Sequence, residues 1–170
     1  MTDPKPPAIL PSNPSKRVYF DHNATVPLRP EARAAMPEEI VFTSGGTEAN
    51  NLALLGGGRP RRIVSAVEHP SVLAHGTETV AVTADGIVDL DAVMSVLGGD
   101  GGDAIVSLML ANNETGVLQP VAGAAAAARA HGALIHTDAI QALGKIEFNF
   151  NELNADLLSL SAHKLGGPTG

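Results

Sequence analysis

The chain has 170 residues, of which 44% are hydrophobic, 17% charged and 3% aromatic, and its formal net charge is −7. This is a globular balance, of a size for one domain whose core is built from Ala, Val, Leu and Ile rather than from rings. The acidic balance argues against a nucleic-acid phosphate track, which needs clustered Lys and Arg; a solvated loop explains the one basic cluster, Arg59, Arg61 and Arg62.

In chain order, residues 1–16 hold five of the twelve prolines and read as a disordered tail, because proline removes donors and the segment has little to bury. The same stretch lacks the apolar middle of a signal peptide, and no unbroken apolar run is long enough to span a bilayer. A cytoplasmic location without membrane contact is therefore expected. From residue 17 to 170 the chain alternates. "EIVFT" (39–43) reads as a strand, and "TEANNLALLG" (47–56) as a helix ended by glycine. "RIVSAV" (62–67) and "TVAVT" (79–83) are strand-like, and "DLDAVMSVL" (89–97) is a helix with Asp89 as its N-cap. "AIVSLML" (104–110) is a continuous apolar run, as in a strand buried on both faces. "PVAGAAAAARAHG" (120–132) reads as a helix, and "ALIHTD" (133–138) and "ADLLSLSA" (155–162) as strands. The alternation predicts an α/β domain with a mostly parallel sheet and helices on both faces.

In such sheets ligands sit beyond the carboxyl ends of the strands. Polar residues collect there: Ser44 to Thr47, His69, Asn112 to Glu114, Asp138, and His163 with Lys164. A lysine after a buried strand either snorkels to the surface or serves as a Schiff-base amine in a dry site. Pyridoxal phosphate (PLP), the usual carbonyl partner, also needs a carboxylate at its ring nitrogen, a donor at its ring oxygen, a flat group over the ring and donors for its phosphate. Asp138, Gln141, His69 and "SGGTEANN" (44–51) offer these, the last through Gly46 and Thr47 at a helix start. Ser161 and His163 can add phosphate donors, and Asn113 can reach the ring edge. Each has a plainer reading: Asp138 as an N-cap, Gln141 as a surface residue, His69 as a cap for a helix beginning near Pro70, the glycine pair as an ordinary turn. The chain has no cysteine, which excludes disulfides and thiolate chemistry in these residues. No histidine pair has the short helical spacing of a zinc site, so no metal is expected, and His22, His75, His131 and His136 read as structural or exposed.

At these residues the chain resembles the cysteine desulfurases (NifS/IscS-like), in the class V branch of the fold-type I PLP enzymes. The matching strings are "YFDHNATVP" (19–27), "EEIVFTSGGTEANNLAL" (38–54), "VEHPSVL" (67–73), "LANNETGVLQPV" (110–121), "IHTDAIQALGKI" (135–146) and "ADLLSLSAHKLGGPTG" (155–170), in the family's order. The resemblance implies the fold-type I large domain, incomplete. It makes Lys164 the Schiff-base lysine, Asp138 the pyridinium partner, Gln141 the residue at the ring oxygen and His69 the ring-stacking histidine. Asn113 becomes a cofactor contact, Gly46 and Thr47 the phosphate loop, and Ser161 and His163 its helpers. The implied reaction converts L-cysteine to L-alanine and passes sulfur, by way of a cysteine persulfide, to an acceptor for iron–sulfur cluster or thio-cofactor assembly. A homodimer goes with the complete family member.

The departures shape three readings. The family's sulfur-accepting cysteine and smaller C-terminal domain lie beyond the lysine motif, and "EARAAM" (31–36) runs directly into "PEEIVFTSGG" (37–46), where the family carries further residues. The expectation is a chain cut short, with an internal deletion near 36–37. The three readings are a cysteine desulfurase fragment, a selenocysteine lyase or other class V lyase or aminotransferase, and a non-catalytic remnant that folds poorly or only binds a partner. PLP binding tests the first two, and a cooperative melt tests the third.

Overall fold

The computed structural model describes residues 40–167. Five parallel strands form one sheet: β1 (Arg61–Ser65), β2 (Glu78–Val80), β3 (Ala104–Ser107), β4 (Leu134–Asp138) and β5 (Leu157–Ser159), in the order β2-β1-β3-β4-β5. The helices are α1 (Gly46–Gly56), α2 (Pro70–Leu73), α3 (Leu90–Leu97), α4 (Val121–Ala130) and α5 (Phe150–Leu153), with a final 3-10 turn at Ala162–Leu165. The expected tail at 1–16 and the expected deletion near 36–37 lie outside the described residues.

Alternation along each strand sorts side chains onto two faces. Ile63, Val106 and Ile135 join one cluster with Val93 and Leu97 of α3 and Val121, Ala124, Ala125 and Ala128 of α4. Val64 and Ile105 join a second with Leu54 of α1 and Val72 of α2. The sheet is therefore covered on both sides, and every residue of β3 is buried, as its unbroken apolar run requires. The α4 stripe repeats at i, i+3, i+4 and i+7, and it is mostly alanine, so that helix lies close to the sheet without large side chains.

The elements otherwise follow the sequence closely. Asp89 caps α3 by accepting from the Asp91 N–H at 3.0 Å, and Gly132, at φ +77°, turns the chain after α4. One expected strand is absent: residues 40–43 are not in strand conformation, and Val41 is 57% exposed. A short β-branched run becomes a strand only where neighbours offer a half-buried surface, and the five-stranded sheet does not extend to it. Two short elements, α5 and the 3-10 turn, had no periodic signal long enough to reveal them. Among the described residues no helix is long and apolar enough to cross a membrane.

The chain leaves β1 toward the β2 edge and leaves β3 toward β4 and β5. The connections part at the carboxyl ends of β1 and β3, the topological switch point at which open α/β sheets hold ligands.

Candidate functional site

Asp138 ends β4 and is buried. Its Oδ1 accepts from the Ile140 N–H at 2.9 Å, and its Oδ2 accepts from the side-chain amide of Asn50 at 2.8 Å. Burial pushes its carboxyl above the usual aspartate value, and the two hydrogen bonds pull it part of the way back. Asn50, on the buried side of α1, also donates to Ser71 Oγ at 3.0 Å. Ser71 Oγ lies 2.8 Å from His69 Nδ1, and the Ser71 N–H donates to the same ring nitrogen at 3.2 Å. His69 is thus the N-cap of α2, as one of its two sequence readings held. It is also linked to Asp138, through two residues that the sequence did not single out.

Glu68, just before His69, is buried. Its Oε1 accepts from the Met109 N–H at 2.6 Å, while Oε2 has no partner among the described residues. The chain has turned out of β1 by this point, since the Glu68 N–H donates back to the Ser65 carbonyl. A side-chain carboxyl thereby serves a β3-side N–H that a β1 carbonyl no longer reaches. Asn112 adds a second tie: its amide donates to the Val67 carbonyl at 3.0 Å, while its Oδ1 accepts from the N–H groups of Glu114 and Thr115. The His69 and Asn113 loops are therefore pinned to each other. The contacts of Asn50, Glu68 and Asn112 span 41 to 88 positions, so local spacing carried no trace of these contacts.

Helix α1 begins at Gly46 with no side-chain cap on its first turn among the described residues, which leaves the N–H groups of that turn for an outside acceptor. Gly46 sits so close to Ile140 that a Cβ there would be 2.3 Å from Ile140 Cδ1 and 3.7 Å from the Ser161 Cβ. Thr47 is exposed beside it. Ser161 is buried, and its hydroxyl lies 2.8 Å from His163 Nδ1. Lys164 is exposed in the 3-10 turn, its N–H donating to the Ser161 carbonyl at 3.3 Å and its ammonium unpaired with any candidate residue among those described. Its neighbour Leu165 lies on Gly144, where a Cβ would be 2.3 Å from Leu165 Cδ2. Asn113 and Gln141 line one open groove of about 430 Å³ with Lys145 and Ile146, and Gln141 Oε1 accepts from the Lys145 ammonium.

Four of the five polar clusters expected at strand ends follow β1, β3, β4 and β5; the Ser44 to Thr47 cluster instead precedes α1 from a non-strand segment.

The donor set fits PLP. Asp138 is a buried carboxyl with no Lys or Arg ion pair among the described residues, which suits a cationic ring nitrogen. The amide oxygen of Asn50, beside it, is buried without a donor among the described residues. An uncapped helix start next to Ser161 suits a phosphate.

Residues 31–170 match the family model of the class-V aminotransferases. The chain is 44% identical to a cysteine desulfurase of Bradyrhizobium diazoefficiens, over 93% of the chain and 45% of that protein. It is 47% identical to one of Sinorhizobium fredii, over 81% of the chain and 39% of that protein. Among solved structures, a NifS-like protein from Rickettsia africae superposes with a TM-score of 0.70 at 33% identity, covering 74% of this chain and 38% of that one. A structure titled SspA in complex with cysteine gives 0.70 and 33%, covering 81% and 43%. The chain spans less than half the length of these relatives. The family model covers most of the chain and the relatives agree with it: the chain belongs to the class-V aminotransferase family, whose cofactor is PLP.

Proposed function

We propose that this chain carries the PLP-binding core of a cysteine desulfurase, the enzyme that takes L-cysteine to L-alanine and hands its sulfur to an acceptor. The observation that carries the reading is the buried Asp138, tied to His69 by a polar chain at the strand ends of a parallel sheet. When bound, PLP supplies an electron sink that weakens bonds at the substrate's α-carbon and beyond. In this reading Asp138 would hold the charge opposite the ring nitrogen, His69 would cover the ring, and Gln141 and Asn113 would meet its edge. Gly46, Thr47, Ser161 and His163 would hold the phosphate, and Lys164 would supply the amine for the aldehyde. The residues of the chain include no cysteine, so the sulfur-accepting thiol must come from outside them. A sulfur-acceptor protein, use in iron–sulfur cluster assembly, a homodimer and a cytoplasmic setting belong to the same proposal.

The test is an absorption spectrum of the purified chain with PLP, followed by borohydride reduction and peptide mass mapping. A visible band and a fixed adduct on the Lys164 peptide, both lost in Lys164→Ala, are expected. A band indifferent to Lys164→Ala would sink the assignment.

A further inference from the structure

His69 and Asp138 sit on different elements, yet they end one chain of hydrogen bonds whose direction can be worked out. The Asn50 amide nitrogen has only hydrogens to offer, and it uses them on Asp138 Oδ2 (2.8 Å) and Ser71 Oγ (3.0 Å). Ser71 Oγ is therefore an acceptor on that side. Its own hydrogen is left for His69 Nδ1, 2.8 Å away. The backbone N–H of Ser71 donates to the same ring nitrogen. With two donors aimed at it, Nδ1 carries no hydrogen, and the neutral ring holds its proton on Nε2. Asn50 is 1% exposed and Ser71 9%, so water does not replace either bond readily. The His69 side chain is exposed, which leaves its Nε2–H as the one donor it can present to a ligand.

We propose that Asn50 and Ser71 are positioning residues, which lock His69 as the Nε2–H tautomer and hold its ring in fixed relation to the Asp138 carboxylate. The part concerning the cofactor rests on the function proposed above; the tautomer does not. A His69 that only capped α2 would need the Ser71 backbone bond and nothing more. The link through Asn50 makes the orientation of the ring depend on the same side chain that orients Asp138.

The test is nitrogen-15 NMR of the imidazoles in the 170-residue chain, with His69 assigned by difference from His69→Asn. The expected result is a single Nε2–H tautomer in the wild type and in Ser71→Thr, which keeps the hydroxyl, and a mixture in Ser71→Ala. An Nδ1–H wild type, or a Ser71→Ala tautomer identical to wild type, would overturn the lock. PLP titration decides the rest. Asn50→Ala is expected to bind about tenfold more weakly, the loss of one hydrogen bond to a charged group, with Ser71→Thr unchanged. Equal binding by wild type and Asn50→Ala would overturn the positioning role and leave the proposed function standing. A wild type that binds no PLP would overturn the proposed function, while the NMR result still decides the tautomer.

Discussion

A carboxyl buried beside another carboxyl keeps its proton more readily than one in water, and Glu68 is in that position. Burial raises its pKa well above the usual glutamate value, the Met109 N–H opposes this, and the Asp138 charge adds to the rise. A folded-state pKa above the unfolded one means that the stabilising contribution is complete below the ordinary value near 4.5 and is lost as pH rises through the folded value. Glu68→Gln keeps an acceptor for Met109 and removes the titration. Its unfolding free energy should fall less with rising pH than that of the wild type, as urea melts at several pH values would show. Glu68→Ala, which orphans a buried N–H, should cost about 1–3 kcal/mol. Equal pH slopes for wild type and Glu68→Gln would refute this account.

At the scale of elements, two glycines dock the pieces that carry the site. Gly46 lets the start of α1 approach Ile140, and Gly144 lets the Lys164 turn lie down through Leu165. The two differ in kind. At Gly46 the obstacle is the far end of a flexible side chain and the backbone is ordinary, so Gly46→Ala combined with Ile140→Val, which removes Cδ1, should fold like wild type. At Gly144 the backbone itself, φ +75°, disfavours a side chain. Gly144→Ala should therefore cost about 1–2 kcal/mol whatever is done to Leu165. Thermal melts of Gly144→Ala, with and without Leu165→Ala, check this: rescue by the second change would show that contact rather than backbone decides.

Across the whole molecule, one buried row runs over three adjacent strands. His136 of β4 meets Ser107 of β3 at Nδ1 (2.8 Å) and Ser159 of β5 at Nε2 (2.9 Å), on the face covered by α1. Burial lowers the His136 pKa to about 4. A histidine depressed in this way gives stability that is present above its ordinary 6.5 and lost as pH falls toward 4, on the order of 3 kcal/mol across the full shift. The sign is opposite to that of Glu68, so acid melts belong in a Glu68→Gln background. There the protein should weaken steadily from pH 6.5 to 4.5, and His136→Gln, less stable at neutral pH, should lose most of that dependence. An unchanged slope in His136→Gln would place the acid sensitivity elsewhere.

Sequence alone determined the class of fold, because period-2 and period-3.6 patterns, the Asp89 cap and the mostly apolar run of β3 are local consequences of side-chain type. It also determined the family, since the six motifs stand in order along the chain. Which short apolar run becomes a strand was decided only in three dimensions: residues 40–43 have the composition, but the sheet does not extend to them. The same holds for how the site is held. Asp138, His69 and Lys164 were legible as residue types at strand ends, yet Asn50, Ser71, Glu68 and His136 acquire their meaning from partners many residues away. A hydrogen bond between distant segments leaves no period in the sequence, and the tautomer of a ring or the charge of a buried carboxyl is set by what the fold brings within 3 Å.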